Sequence, residues 1–272
     1  MSYIQGLGHI NIKVGDVDAA VRFYCEGLGL KLKHRDNRGA VIITPDNMIL
    51  EITGGGAFVQ NTSGITHICL NTYDVDAAFK RALEFGARIS RPQDPEPYTY
   101  NDLRMAFVST PTGEEIELWY IQKNGVMREP IVNNQYVKCL VHVALTVPDM
   151  SACIKFYEAL GAKLKVDWEW GCSIQLPDMR ELELFTGGEY SDNQNGYTHF
   201  CLFVEDVDTA AQKIEDLGGK IVHRACDWSD NLRIGFCKGP AGELIELFHI
   251  YDAGREPDIF DTYPLKLPDL FA

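Results

Sequence analysis

His9-Ile-Asn-Ile-Lys-Val-Gly-Asp16 is a short β-branched run that closes on an aspartate, and it returns three times along the chain. The other copies are His67-Ile-Cys-Leu-Asn-Thr-Tyr-Asp74, His142-Val-Ala-Leu-Thr-Val-Pro-Asp149 and His199-Phe-Cys-Leu-Phe-Val-Glu-Asp206. Each keeps the histidine on a strand-like run and the aspartate seven residues later, at the mouth of a helix-like stretch. Each unit then places a glutamate inside an apolar run: Glu51, Glu117, Glu183 and Glu246. Internal repetition fixes the architecture before any local reading does. Histidine and glutamate repeated together on strands are a metal-site pattern, because imidazole and carboxylate suit divalent first-row metals.

The stretch after each aspartate is amphipathic. In Asp16-Val-Asp-Ala-Ala-Val-Arg-Phe-Tyr-Cys-Glu-Gly-Leu-Gly, the residues Val17, Val21, Tyr24 and Leu28 share one face at helical spacing. Asp16 suits an N-cap, and Gly27 or Gly29 can end the helix. Asp149-Met-Ser-Ala-Cys-Ile-Lys-Phe-Tyr-Glu-Ala-Leu-Gly161 repeats the pattern closely, and the units ending in Phe85-Gly86 and Leu217-Gly218 do so more loosely. Short β-rich runs follow each helix, so each unit reads β-α-β-β-β over about 60 residues. The fold class expected is α+β, with four βαβββ units.

The units pair into halves. Glu51 and Glu183 each follow a Pro-Asp turn and precede Gly-Gly, whereas Glu117 and Glu246 each follow a Pro-x-Gly turn. The boundary falls near 130, giving modules 1–130 and 131–272 joined by a polar segment from Gln122. Arg128-Glu-Pro and Arg255-Glu-Pro recur at the two ends, and the proline-rich tail is expected to wrap the surface.

Composition narrows the classes. The chain has 272 residues, enough for two ordinary domains, and its net charge of −14 argues against nucleic acid as a partner. No apolar run approaches the ~20 residues of a membrane span, and the N-terminal stretch lacks the charged and apolar regions of a secretory signal. The eight cysteines are scattered without CxxC pairs, which fits reduced thiols in a cytoplasmic protein.

The combination of His-x-to-Asp spacing, Phe-Tyr-x(2–3)-Leu-Gly and Pro-x-Gly-x3-Glu resembles the vicinal oxygen chelate superfamily over almost the whole chain. That superfamily includes glyoxalase I, extradiol dioxygenases, methylmalonyl-CoA epimerase, and the fosfomycin and bleomycin resistance proteins. The resemblance implies paired units in cupped mixed sheets around a metal, with ligands from the first and last strands of each unit. Carried onto this chain, those positions are His9, Glu51, His67, Glu117, His142, Glu183, His199 and Glu246. Two groupings are open. Neighbouring units can close on each other, or the halves can exchange units and pair His9 and Glu51 with His199 and Glu246.

A lone strand histidine is ordinarily a partly buried, hydrogen-bonded residue, and His34, His223 and His249, which lack repeated counterparts, fit that role. A carboxylate in an apolar strand is harder to dismiss, since leaving it buried and unpaired costs several kcal/mol. Cys69 and Cys201 share a repeat position two residues after a candidate ligand, where small-residue packing or a soft auxiliary ligand are the readings. Arg104 and Arg233 also match in position and suit either an anionic-substrate clamp or a surface salt bridge. Tyr98, Tyr100, Trp168, Trp170 and Trp228 are expected in loops near the mouth of the cup.

The chemistry expected first is glyoxalase-type lyase or isomerase action on a small molecule with adjacent oxygens. A divalent Zn, Ni, Co or Mn would polarise a carbonyl, and Glu117 or Glu246 would move the neighbouring proton through an enediolate. The alternatives are an extradiol dioxygenase using Fe(II) on His142, His199 and Glu246, and a metal-free drug-binding protein of the bleomycin-resistance type. A chain with both halves can act as a monomer, and a homodimer is also allowed.

Overall fold

The computed structural model describes residues 2–55, 64–121, 136–168, 170–186, 196–229 and 231–251. The module boundary near 130, both Arg-Glu-Pro copies and the tail beyond 251 lie outside them.

Each repeat begins with a long strand and a capped helix. The first repeat runs β1 (Ile4–Lys13), α1 (Val17–Val21), β2 (Lys31–Arg35), β3 (Gly39–Ile43) and β4 (Ile49–Thr53). The second runs β5 (Ile65–Thr72), α2 (Val75–Glu84), β6 (Arg88–Ile89), β7 (Tyr98–Tyr100), β8 (Leu103–Ser109) and β9 (Glu115–Ile121). The third has β10 (Val137–Thr146), α3 (Met150–Leu160), β11 (Lys163–Trp168), β12 (Gly171–Gln175) and β13 (Glu181–Phe185). The fourth has β14 (Tyr197–Val204), α4 (Val207–Asp216), β15 (Lys220–Ser229), β16 (Leu232–Lys238) and β17 (Leu244–Ile250). The repeated aspartates do one job. Asp16, Asp74, Asp149 and Asp206 accept the free N–H of Ala19, Ala77, Ala152 and Thr209 at 2.7–3.1 Å, turning each strand into its helix.

The first helix departs from the expected single period. After α1 the chain widens into a π-helical turn at Arg22–Gly27, and Val17 and Val21 are only half-buried. The turn carries adjacent Phe23 and Tyr24 both into the core, as the regular helix α3 does with Phe156 and Tyr157, and takes up one more residue before the leucine that follows. Gly27 lies close to the end of α4: a Cβ there would stand 2.7 Å from Leu217 Cδ1, so that exposed side chain would have to shift.

Two mixed sheets result. One has the order β2-β3-β4-β1-β5-β9-β8-β6, with β7 added against β8, and the other has β11-β12-β13-β10-β14-β17-β16-β15. Repeats one and two therefore share a sheet, as do repeats three and four. The parallel pairs β5–β9 and β14–β17 set Cys69 beside Glu117 and Cys201 beside Glu246. All eight cysteines are free.

Packing divides the chain differently from sheet membership. One compact unit comprises the described residues of 1–11, 60–130 and 144–198, and the other those of 12–59, 131–143 and 199–272. In the first, α2 packs on α3, Tyr3 donates its N–H to Leu160 O at 2.8 Å, and Asp178 accepts the Leu7 N–H at 3.0 Å. In the second, α4 packs on the π-turn and Asp46 accepts the Leu140 N–H at 3.3 Å. Both Pro-Asp turns thus grip a strand two residues before a repeated histidine. Phe156, Tyr157 and Tyr197 fill the first core, and Tyr24, Phe200 and Ile214 the second, each such side chain contributing roughly 1.5–3 kcal/mol when fully buried.

Candidate metal centres

Strand alternation brings His9 of β1, His67 of β5 and Glu117 of β9 to one point. The two Nε2 atoms are 3.3 Å apart, and Glu117 Oε2 lies 3.2 Å from His9 and 3.3 Å from His67. All three residues are buried. Ring edges hold the imidazoles in place: Trp119 stands 4.8 Å from His9, and Phe107 stands 5.6 Å from His67, both T-shaped. Burial alone would raise the Glu117 pKa, but the hydrogen bonds of His67 and His9 outweigh it and bring it to about 2.

The second centre repeats the first. His142 of β10 and His199 of β14 have Nε2 atoms 3.2 Å apart, and Glu246 Oε2 of β17 lies 3.1 Å and 3.3 Å from them. Burial again opposes ionisation of Glu246, and His142 and His199 again bring it to about 2. Burial also lowers the His199 pKa, with Glu246 opposing, so the neutral imidazole that a metal requires is favoured. Cys201 joins His142 and Glu246 in a group whose ligand atoms lie within 4.8 Å of one another, and Phe236 stands edge-on to His199.

Three atoms drawn so close suit a cation better than one another. Two facing Nε2 atoms cannot both donate to and accept from each other, whereas adjacent ligands 2.0–2.1 Å from a metal stand about 3 Å apart. Two imidazoles and a carboxylate match the borderline first-row ions. The residues present fit a divalent metal.

The structure thus brings His9 together with His67 and Glu117, and His142 with His199 and Glu246, so neighbouring units close on each other rather than exchanging. Glu51 is half-buried on β4 opposite Val41, and Glu183 is buried on β13 opposite Ser173. The matched arginines are locks between helix and sheet. Arg104 meets Asp76 of α2 in a two-pronged contact at 2.5 and 3.0 Å, and Arg233 meets Asp208 of α4 at 2.7 and 2.9 Å. The aromatics stand mainly on strands instead of loops: Tyr98 and Tyr100 form β7, Trp168 ends β11, and Trp228 lies in β15, leaving Trp170 in a turn. A strand of three residues beside a Pro-rich stretch carries almost no periodic signal, which is why β7 reads as loop. His249 bonds the Val204 carbonyl at 2.8 Å and stacks on Phe203, the local role expected.

Sequence reasoning missed the residues behind the histidines. Thr66 Oγ1 lies 3.1 Å from His67 Nδ1 and donates to Asn11 Oδ1 at 2.6 Å. Glu115 Oε1 lies 4.0 Å from the same Nδ1 and is held by Arg91 at 2.7 Å. Their signal is weak, because Asn11 and Glu115 have no polar counterparts in the other half.

Comparison with known proteins agrees with this architecture. The family model described as Glyoxalase/Bleomycin resistance protein/Dioxygenase superfamily matches residues 6–118 and 140–247. The lactoylglutathione lyase GLX1 of Arabidopsis thaliana is 29% identical over 245 residues, covering 80% of this chain and 81% of that protein. A lactoylglutathione lyase of Oryza sativa subsp. japonica is 30% identical over 244 residues, covering 79% of each. Among solved structures, the Mn(II)-bound glyoxalase of Novosphingobium aromaticivorans has a TM-score of 0.69 at 16% identity, over 97% of this chain and 92% of that one. The homoprotocatechuate 2,3-dioxygenase of Arthrobacter globiformis has a TM-score of 0.68 at 17% identity, over 94% and 83%. At such identities the solved structures show the shared fold.

Proposed function

Since the chain belongs to the Glyoxalase/Bleomycin resistance protein/Dioxygenase superfamily, we propose that it is a metal-dependent lyase or isomerase of the glyoxalase type. The observation that carries the reading is the pair of buried clusters, each with two imidazoles and a carboxylate within 3.3 Å. His9, His67 and Glu117 would hold one metal, and His142, His199 and Glu246 the other, with Glu51 and Glu183 assigned by repeat position as fourth ligands. A divalent ion held there would supply Lewis acidity to a carbonyl oxygen of the substrate.

The chain's residues do the rest. The imidazoles face the cluster through Nε2 and are fixed by the aromatic edges of Trp119, Phe107 and Phe236. Glu117 and Glu246 stay ionised across neutral pH, so each can accept a proton from the carbon next to the carbonyl and return it to the neighbouring carbon. Their burial excludes bulk water, which would otherwise exchange with the moving proton. The lactoylglutathione lyases among the relatives direct screening first toward hemithioacetals of small 2-oxoaldehydes. A cytoplasmic location, which the reduced cysteines favour, is part of the proposal.

Elemental analysis of the purified chain tests this directly. Two equivalents of Zn, Ni, Co or Mn are expected, with one lost in His67→Ala and the other in His199→Ala. Metal content unchanged in both variants would sink the assignment. One equivalent of iron with ring cleavage of catechols would replace it with the dioxygenase reading.

A further inference from the structure

The two centres share their histidines and glutamates, but the cysteine that repeats beside them is turned differently in each. Cys201 follows His199 by two residues on β14 and is set beside Glu246 by the parallel pairing with β17. Its side chain is fully buried, and the ligand atoms of His142, Cys201 and Glu246 lie within 4.8 Å of one another. Among the described residues, Cys69 enters no such group at the first centre. Its sulfur faces Gly8 instead: a Cβ there would lie 3.2 Å from Cys69 Sγ, and 2.8 Å from both Asn71 Oδ1 and Trp119 Nε1. By repeat position the second half carries Val141, Phe203 and Phe248 where the first has Gly8, Asn71 and Trp119, and all three are buried.

The valine accounts for the difference. Its side chain fills the room that Gly8 leaves in the first half, so the Cys201 sulfur is kept on the side of His142 and Glu246. A sulfur about 2.3 Å and a nitrogen or oxygen about 2.0–2.2 Å from one zinc ion stand at most about 4.5 Å apart. A small rotation about the Cys201 Cα–Cβ bond covers the few tenths of an ångström between that limit and the observed grouping. Thiolate is a soft donor that favours zinc over the harder manganese, so one such ligand changes which ion a centre selects.

We propose that Cys201 is a sulfur ligand of the second centre, joining His142, His199 and Glu246, and that the first centre binds through nitrogen and oxygen alone. The sulfur binds as thiolate, its proton passing to the buffer as the metal enters. The inference rests on the reading that His142, His199 and Glu246 hold a metal.

Cobalt(II) binding to the full-length, reduced chain tests it, because thiolate on cobalt gives an intense near-ultraviolet charge-transfer band that nitrogen and oxygen donors do not. The band is expected in the wild type, in His67→Ala and in Cys69→Ala, and its loss is expected in Cys201→Ala. Zinc X-ray absorption of His67→Ala, in which only the second centre is loaded, adds a reading that needs no change at Cys201. One sulfur per zinc, at about 2.3 Å, is expected there. Cobalt bound at both centres without the band, a band that survives in Cys201→Ala or vanishes in Cys69→Ala, or a zinc shell of nitrogen and oxygen alone overturns the sulfur ligand and leaves the metal reading standing. No cobalt at either centre overturns both.

Discussion

Glu243 should make the protein less stable as pH rises through neutrality, and Glu243→Gln should remove that dependence. The side chain sits in the turn before β17, completely buried. The Tyr24 hydroxyl donates to one of its oxygens, and the Ala241 N–H donates to the other at 2.7 Å. Burial lifts its pKa to about 7, with the Tyr24 and backbone hydrogen bonds only partly opposing. Between the ordinary value of 4.5 and about 7, the folded chain therefore keeps a proton that the unfolded chain has released. Stability falls as pH climbs through that window, by about 3 kcal/mol across it. Glutamine imitates the protonated acid and cannot ionise. The assay is urea unfolding of both proteins with chelator present, so that metal binding plays no part. The stability of Glu243→Gln relative to wild type should rise by about 3 kcal/mol from about pH 4.5 to about pH 8. A difference that stays flat across that range would refute the reasoning.

Tyr24 and Tyr157 occupy the same repeat position, yet the described residues offer no partner to the buried Tyr157 hydroxyl. Tyr24→Phe should lower the unfolding free energy by about 1–3 kcal/mol, whereas Tyr157→Phe should be neutral or slightly stabilising in the same denaturation experiment. Gly6 has φ +150°, and an added Cβ would stand 2.1 Å from Asp178 Cγ, so Gly6→Ala should cost about 1–3 kcal/mol and lower Tm in calorimetry. The opposite pH arm belongs to the clusters. Glu117 and Glu246 are held at about 2, so their contribution is present above about pH 4.5 and lost as pH falls toward 2. Acid unfolding of chelated Glu117→Gln should show a shallower slope than the wild type.

The repeat was legible because each copy solves the same local problem with the same residue types. An aspartate must cap the helix that follows the strand, and Asp16, Asp74, Asp149 and Asp206 all do. A histidine and a glutamate on neighbouring strands then meet wherever those strands lie side by side, as His9, His67 and Glu117 do, and His142, His199 and Glu246. Strand order was not legible, since hydrogen bonds between strands leave no mark in a sequence, and so the grouping of the units stayed open until the sheets showed it. The π-turn hid because its extra residue breaks the period by which helices are recognised. Arg104 and Arg233 matched in sequence for a structural reason, each tying the first turn of a helix to its sheet.

Repetition reveals what two halves share and conceals what they do not. The ligand positions recur, so they stand out; Asn11, Glu115 and Arg91 occur on one side only and look like ordinary surface and strand variation. The same holds for the acid preceding each last strand. Glu114 is met by the hydroxyls of Thr110 and Thr112, all on its own turn, whereas Glu243 reaches Tyr24, 219 residues away in sequence. Duplicated sites that keep identical ligands can therefore diverge through the residues that hold those ligands. The separate variants Thr66→Val and Glu243→Gln address this directly. If divergence is carried by such supports, the first should alter only the centre containing His67. The second should alter pH-dependent stability while leaving zinc affinity at both centres as it was. Weakening of both centres by either variant would mean that the supports act through the fold as a whole, and that the local argument fails.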